Sequence, residues 1–215
     1  MLKKLGCTAV LFDFDGVVGN TMEDNFQAWG AAFREMGIQI SKEAYFLMEG
    51  ATTLAVAEFF LNNEGGDVSL AASVVRSKER HYLARNNFVL YEDVEWLVTR
   101  LKDAAYKLGI VSGANRARLS ALGINDFLAK FDVIVTGEDV NKGKPDPEPF
   151  LIAAHKLGLL PKECAVVENA PYGIASAKGA GMFCVAVCST LNASYLVQAD
   201  RVVENISKVA EIFGT

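Results

Sequence analysis

In the stretch FDFDGVVGNT, Phe12 to Thr21, two aspartates follow directly on the apolar run AVLF and precede a glycine. Side chains two positions apart in an extended segment point the same way, so Asp13 and Asp15 are expected to face one pocket. Carboxylates that close repel, and they persist only with a cation between them or with one kept protonated. Oxygen ligands suit a hard dication such as Mg²⁺. Beside such an ion, an ionised Asp13 can act as a nucleophile and carry a phosphoryl group. Asp15, its pKa raised by its neighbour, can protonate a leaving oxygen and then deprotonate water.

Other polar residues fit the same chemistry. VSGAN offers the hydroxyl of Ser112 and the amide of Gly113 to phosphate oxygens, because glycine lets a backbone N–H come close. NKGKPDPEPF offers Lys144 as a counter-charge, with Pro145 after it disfavouring helical geometry. VVENAPYG places an acid beside an amide, Glu168-Asn169. Each has a plainer reading when taken singly: a solubilising loop, an ordinary turn, or Asn169 as the N-cap of a helix begun by Pro171. Their shared position is what raises them above that.

The elements that would hold them follow from the apolar runs Thr8–Phe12, Lys107–Val111, Val133–Val135, Ala165–Val167 and Phe183–Val187. Helical patterns near 93–105, 115–122, 147–158 and 172–180 alternate with these runs. That alternation predicts an α/β fold, a Rossmann-like parallel-sheet core with helices on both faces. Ligands bind such sheets beyond the carboxyl ends of the strands, and each candidate residue follows a strand. The long interval between Asp13 and Ser112 breaks the rhythm. In TMEDNFQAWGAAFREMG, residues Met22, Phe26, Trp29, Phe33 and Met36 share a helical face, and further helical patterns cover 41–48, 53–62 and 69–86. Residues 20–88 are therefore expected to be an inserted helical cap, with 1–19 and 89–215 forming the catalytic core.

Composition narrows the class. The chain of 215 residues is 51% hydrophobic and 22% charged with a net charge of −5, and its basic residues are scattered. A nucleic-acid surface is not expected, and the partner is expected to be small. The four cysteines, Cys7, Cys164, Cys184 and Cys188, form no CxxC pair, and three lie in apolar strand-like runs. Reduced, buried thiols suit a cytoplasmic protein. The start MLKKLGCTAVLF imitates a signal peptide, but its apolar run ends at Asp13 without a small-residue cleavage site. No run reaches the length of a membrane helix. The expectation is a soluble cytoplasmic monomer.

DFDGVVGNT, VSGAN, GKPDPEPF and VVENAPYGIASAKGAGM, in that order, resemble the four motifs of the haloacid dehalogenase-like hydrolases, specifically the β-phosphoglucomutase-like phosphatases with a helical cap. The resemblance covers essentially the whole chain. It implies Mg²⁺-dependent phosphoryl transfer through an aspartyl-phosphate on Asp13, with Asp13, Asp15, Glu168 and Asn169 about the metal and Ser112, Gly113 and Lys144 about the phosphate. It also implies a cap that closes over a small phosphorylated substrate. The departures from the pattern are Asn20 in the Asn20-Thr21 pair, Asn25 where mutase-type relatives carry histidine, Thr53 where they carry arginine, and Asn169 where an aspartate is usual. Without that arginine a second phosphate loses a charge-assisted partner, so hydrolysis is expected over a sugar-phosphate mutase. A pyrophosphatase is a further alternative, and a non-catalytic binding protein on the same fold is another. Glu49 in FLMEGATT, with Thr52, is the expected cap contact to substrate. A carboxylate there suits a substrate hydroxyl or a metal-rich substrate such as Mg-pyrophosphate.

Overall fold

The computed structural model describes residues 6–85 and 87–214. The lysines of the signal-like start and Asn86, at the expected end of the fourth cap helix, lie outside the described residues. Six parallel strands are β1 (Ala9–Phe12), β2 (Lys107–Val111), β3 (Val133–Val135), β4 (Cys164–Glu168), β5 (Phe183–Val187) and β6 (Arg201–Val203). Their order is β3-β2-β1-β4-β5-β6. The chain steps outward from β1 to β3, then crosses back to lay β4 against the other side of β1. This reversal opens a crevice at the carboxyl ends of β1, β2 and β4, where open α/β sheets take ligands.

The five expected strands form, with β4 one residue longer at each end than the expected run. β6 was not foreseen. It is an edge strand of three residues, two of them exposed, so it has neither the length nor the burial that marks a strand in sequence. All four residues of β1 are buried, as both faces of a covered parallel sheet require. Val10 and Phe12 pack to one side with Ile110 and Val167. Ala9 and Leu11 pack to the other with Val111 and Val166. Flanking helices include α5 (Val94–Asp103), α6 (Arg116–Ser120), α7 (Asn125–Leu128), α8 (Glu148–Leu157) and α9 (Pro171–Gly179).

Between β1 and β2 come α1 (Met22–Arg34), α2 (Lys42–Leu47), α3 (Thr53–Asn63) and α4 (Ala71–Arg85). These helices have a core of their own, in which Trp29, Phe33, Tyr45, Phe60 and Val74 are buried together. Trp29 stacks on Phe33 at 5.8 Å. Burial of each such large side chain contributes about 1.5–3 kcal/mol. The expected stripe faces this core, Met22, Trp29 and Phe33 fully and Phe26 partly, with Met36, also partly buried there, in the turn just after α1.

The cap is seated on the sheet. Phe46 and Leu47 pack against the apolar layer beneath β1 and β4, while Tyr172 of α9 packs into the cap core. A Cβ on Gly113 would lie 2.8 Å from the carbonyl oxygen of Ala51, so the Gly50-Ala51 turn rests directly on the loop after β2. Cys7, Cys164 and Cys184 are buried free thiols, and Cys188 is partly buried. No described helix is long and apolar enough to cross a membrane.

Candidate active site

The site grows out of the strand ends. Asp13 N–H donates to the Val167 carbonyl at 2.9 Å, which carries the β1–β4 pairing one residue past the strand. Gly16 then turns the chain with φ +88°, and a Cβ there would meet the Asn169 amide at 2.1 Å. Only glycine meets both demands. Ser112 N–H donates to the Val135 carbonyl at 2.9 Å, and the Ser112 hydroxyl accepts from Ala114 N–H at 3.1 Å.

Lys144 is 4% exposed and is held on three sides. Its Nζ donates to Asp13 Oδ1 at 2.5 Å, to Glu168 Oε1 at 2.6 Å and to the Val111 carbonyl at 3.1 Å. It also lies 5.0 Å from the centre of the Phe150 ring. The Lys144–Pro145 bond is cis. Burial alone would lower the lysine's pKa, but the charges of Asp13 and Glu168 raise it. Asp13 moves well up, because burial outweighs the Lys144 charge and the carboxylates of Glu168 and Glu49 add to it. Glu168 Oε2 accepts from the backbone N–H of Asn169 at 2.9 Å and of Ala170 at 3.3 Å. Its other oxygen holds Lys144, so Glu168 serves the lysine and the backbone. A Cβ on Gly173 would sit 1.7 Å from Glu168 Oε1, which fixes glycine at that position.

Two buried oxygens at this edge, Asp13 Oδ2 and Asn169 Oδ1, have no hydrogen-bond partner among the described residues. Asn169 is oriented by its own amide, whose Nδ2 donates to Thr190 Oγ1 at 2.9 Å. Buried polar oxygens are rarely left unpaired, and a carboxylate oxygen with an amide oxygen suits a hard divalent cation. Among the described residues no three carboxylates, imidazoles or thiols gather as a ready-made metal cluster. The fit to Mg²⁺ rests on the two orphaned oxygens.

Asp15 does not share the lysine of Asp13. Its Oδ1 accepts from the Thr21 hydroxyl, from Asn25 Nδ2 at 3.1 Å and from Arg118 Nη2 at 2.5 Å. Sequence reasoning expected the Asp15 pKa to be raised by Asp13, and the structure corrects this. Burial pushes Asp15 up, but the Arg118 charge and the hydrogen bonds from Thr21 and Arg118 hold it below the usual carboxylate range. Arg118 is delivered by α6, whose N-cap Asn115 accepts from Arg118 N–H at 2.7 Å.

Under the cap a cavity is lined by Trp29, Tyr45, Glu49, Thr53 and Lys78, with Asp15 and Arg118 from the core side. Glu49 is partly exposed as a residue. Burial of its carboxyl, then the charge of Asp15, pushes it up to about 7. Lys78, 1% exposed, is lowered to about 8 by burial and then by Arg118. Its ammonium lies 5.6 Å from the Trp29 ring centre. Thr52 is turned to another task, as its hydroxyl accepts from Ala55 N–H at 3.2 Å and caps α3. Thr53 lines the cavity instead.

Lys78 and Arg118 were missed in the sequence. Lys78 left a legible trace, because it falls on the apolar stripe of α4 with Ala71, Val74 and Tyr82, all buried. A lysine in that register is expensive to bury without a task. Arg118 left none, since Arg116 on the same short helix is exposed and only the tertiary contact tells the two apart.

Known proteins place this geometry. The sequence profile of the haloacid dehalogenase-like hydrolases matches residues 10–187. Validoxylamine A 7'-phosphate phosphatase of Streptomyces hygroscopicus subsp. limoneus is 32% identical over 93% of this chain and 94% of its own. β-Phosphoglucomutase of Bacillus subtilis (strain 168) is 32% identical over 83% of this chain and 82% of its own. A solved structure from Bacteroides vulgatus, named for β-phosphoglucomutase, superposes with a TM-score of 0.87 at 26% identity, covering 98% of this chain and 88% of that one. The chain belongs to the haloacid dehalogenase-like hydrolases, on their β-phosphoglucomutase-like branch, and is a phosphatase of that family.

Proposed function

We propose that the protein hydrolyses the phosphate monoester of a small polyhydroxylated metabolite, with Mg²⁺, through a phosphoryl group carried on Asp13. The observation that carries this reading is the buried Asp13–Lys144–Glu168 triad, with Asp13 Oδ2 left unpaired at the crevice. Asp15, held below the usual range by Arg118, takes up a proton as the anionic phosphate arrives beside it. Asp13 then attacks phosphorus, the ester P–O bond breaks, and the leaving oxygen takes that proton from Asp15, giving the alcohol. Water then attacks the aspartyl-phosphate and gives its proton to Asp15, the P–O bond to Asp13 breaks, and inorganic phosphate departs. Lys144 offsets charge on the phosphoryl oxygens, and Ser112 and Gly113 cradle them. Mg²⁺, held by Asp13 and Asn169 with Asp15 close by and Glu168 behind the lysine, would supply positive charge against the phosphoryl group.

Residues 20–88 act as the cap over a core of 1–19 and 89–215, excluding water as the cap seats. The cavity chemistry supports a substrate with hydroxyls. Trp29 and Tyr45 offer ring faces, and Asn25, Glu49 and Thr53 offer polar groups. The named substrate of the Streptomyces relative is likewise a phosphate ester. A second reading, transfer within a sugar phosphate, is favoured by the Bacillus relative and by Lys78, a buried cation for a second anionic group. Against it, Asn25 brings only an uncharged amide to Asp15.

The test is a panel of sugar phosphates, polyol phosphates, pyrophosphate and an aryl phosphate, with Mg²⁺ and Asp13→Asn as control. Mg²⁺-dependent phosphate release that vanishes in the control supports the proposal. Release that survives Asp13→Asn sinks the covalent route, and conversion of β-glucose 1-phosphate to the 6-phosphate without net release establishes the mutase. Pyrophosphate as the best substrate would displace the monoester.

A further inference from the structure

We propose that Thr190, Tyr91 and Ser189 are positioning residues that hold the Asn169 amide with its oxygen turned to the divalent cation. The inference rests on the reading of Asn169 as a ligand to Mg²⁺. An amide fits nearly the same space either way round, and its hydrogen bonds decide which end faces which way. Asn169 is fully buried, and its Nδ2 donates to Thr190 Oγ1 at 2.9 Å. Its Oδ1 is one of the two oxygens without a partner among the described residues.

The chain of bonds that sets this orientation begins at a carbonyl. A backbone carbonyl only accepts, so the Ser189 hydroxyl gives its single proton to the carbonyl oxygen of Gly16. The Tyr91 hydroxyl hydrogen-bonds both Ser189 and Thr190. With the Ser189 proton committed, Tyr91 donates to Ser189 and accepts from Thr190. Thr190 in turn has no proton left and accepts from the amide. The direction therefore passes without a break from Gly16 to Asn169 Nδ2. Turning the amide over would set Oδ1 against the lone pairs of Thr190 and aim an N–H at the cation. Tyr91 lies just ahead of α5, and Ser189 and Thr190 lie in the loop after β5, so separate parts of the core fix one side chain. A carboxylate at 169 has no proton to give Thr190, and the chain of bonds is matched to the amide this protein carries.

The readout is Mn²⁺ binding to the substrate-free protein, followed by electron paramagnetic resonance of the free ion. Thr190→Val keeps the shape and removes the acceptor. It should weaken Mn²⁺ binding by about 10-fold to 100-fold, as loss of a ligand's outer partner does, and Thr190→Ser should retain binding. Tyr91→Phe, which lets Thr190 turn its proton toward Oδ1, should weaken binding severalfold. The discriminating step repeats Thr190→Val in the Asn169→Asp background. The two oxygens of a carboxylate are equivalent when turned over, so the effect should there largely disappear, whereas a merely structural role moves both backgrounds alike. Equal losses in the two backgrounds overturn the inference. So does an unchanged affinity in Thr190→Val when Asn169→Ala loses binding, a result that leaves Asn169 its role. Binding unchanged in Asn169→Ala sinks the reading of Asn169 as a ligand. Where Thr190→Val does not fold, Tyr91→Phe in the same two backgrounds carries the test, and equal losses overturn it.

Discussion

Glu49→Gln isolates one consequence of seating the cap. The Glu49 carboxyl lies near the charge of Asp15, and burial with that charge moves it from 4.5 to about 7. A carboxyl raised on folding makes the native state hold its proton longer than the unfolded chain does. Below pH 4.5 both states are protonated and nothing is lost. Between 4.5 and about 7 the unfolded chain ionises first, so stability falls as pH rises, and above about 7 the loss is complete. Each tenfold change in proton affinity corresponds to 1.36 kcal/mol, so the full loss is about 3 kcal/mol. Glutamine keeps the shape and can still accept from the Tyr45 hydroxyl, but it carries no charge. Urea melts of both proteins should therefore nearly coincide at pH 4.5, with the variant gaining up to about 3 kcal/mol at pH 8. A seated cap that lifts without global unfolding would let water reach the carboxylate, so this figure is a ceiling. A difference that stays flat with pH, or a variant less stable than the parent at pH 8, would refute burial of this carboxyl beside Asp15.

Gly113→Ala puts a Cβ 2.8 Å from the Ala51 carbonyl, so the cap should seat poorly. kcat/KM should fall by about 10²-fold, the order expected of a small misplacement, with little change in Tm, which steady-state rates and a thermal melt together check. Lys144→Met leaves Asp13 and Glu168 facing each other in the interior. Breaking such a buried arrangement costs about 3–5 kcal/mol, so chemical denaturation should show that loss and phosphate release should cease. Asn169→Asp adds a negative charge beside the unpaired Asp13 oxygen. The Mg²⁺ concentration for half-maximal rate should drop by about tenfold or more, while the metal-free protein melts lower, as titration of activity with Mg²⁺ and melts in chelator would show.

How much of this was legible in the sequence depends on the range of the interaction. β1 to β5 announce themselves because a covered parallel strand is largely apolar, and Asp13, Ser112 and Glu168 come directly at the ends of such runs. The α1 stripe is equally local, a matter of spacing along one helix. Lys144 lies in a loop, yet its motif pointed to it. The charge state of Asp15 was not legible, because the neighbour that decides it, Arg118, lies far along the chain and looks like the exposed Arg116 two residues before it. Glu168 was expected near the metal. Its bonds to Lys144 and to two backbone N–H groups join the end of β4 to a distant loop and to the turn into α9, and no local pattern shows which of these an acid there will meet. Thr52 and Thr53 differ by one position, and only the start of α3 decides which hydroxyl caps the helix and which residue meets the cavity.

The two aspartates of the opening stretch are compensated by separate cations, and this separation is what permits separate roles. Were both paired to one cation, removing or adding charge at either would move the other with it. Asp13 instead sits with Lys144 and Glu168, where burial outweighs the lysine and the Glu168 charge adds to it, raising the Asp13 pKa. Asp15 sits with Arg118, where burial is outweighed by the Arg118 charge. A change of charge beside one carboxyl therefore leaves the other's own counter-ion in place. Asn169 sharpens this division. With an amide in place of a carboxylate, a dication beside Asp13 leaves the cluster net positive, which favours a phosphate dianion more than it favours the metal itself. On the proposed mechanism, an amide at 169 would hold Mg²⁺ less tightly and inorganic phosphate more tightly. Asn169→Asp should therefore relieve inhibition by phosphate as it tightens Mg²⁺, and movement of both constants in the same direction would show that the amide is not acting through charge.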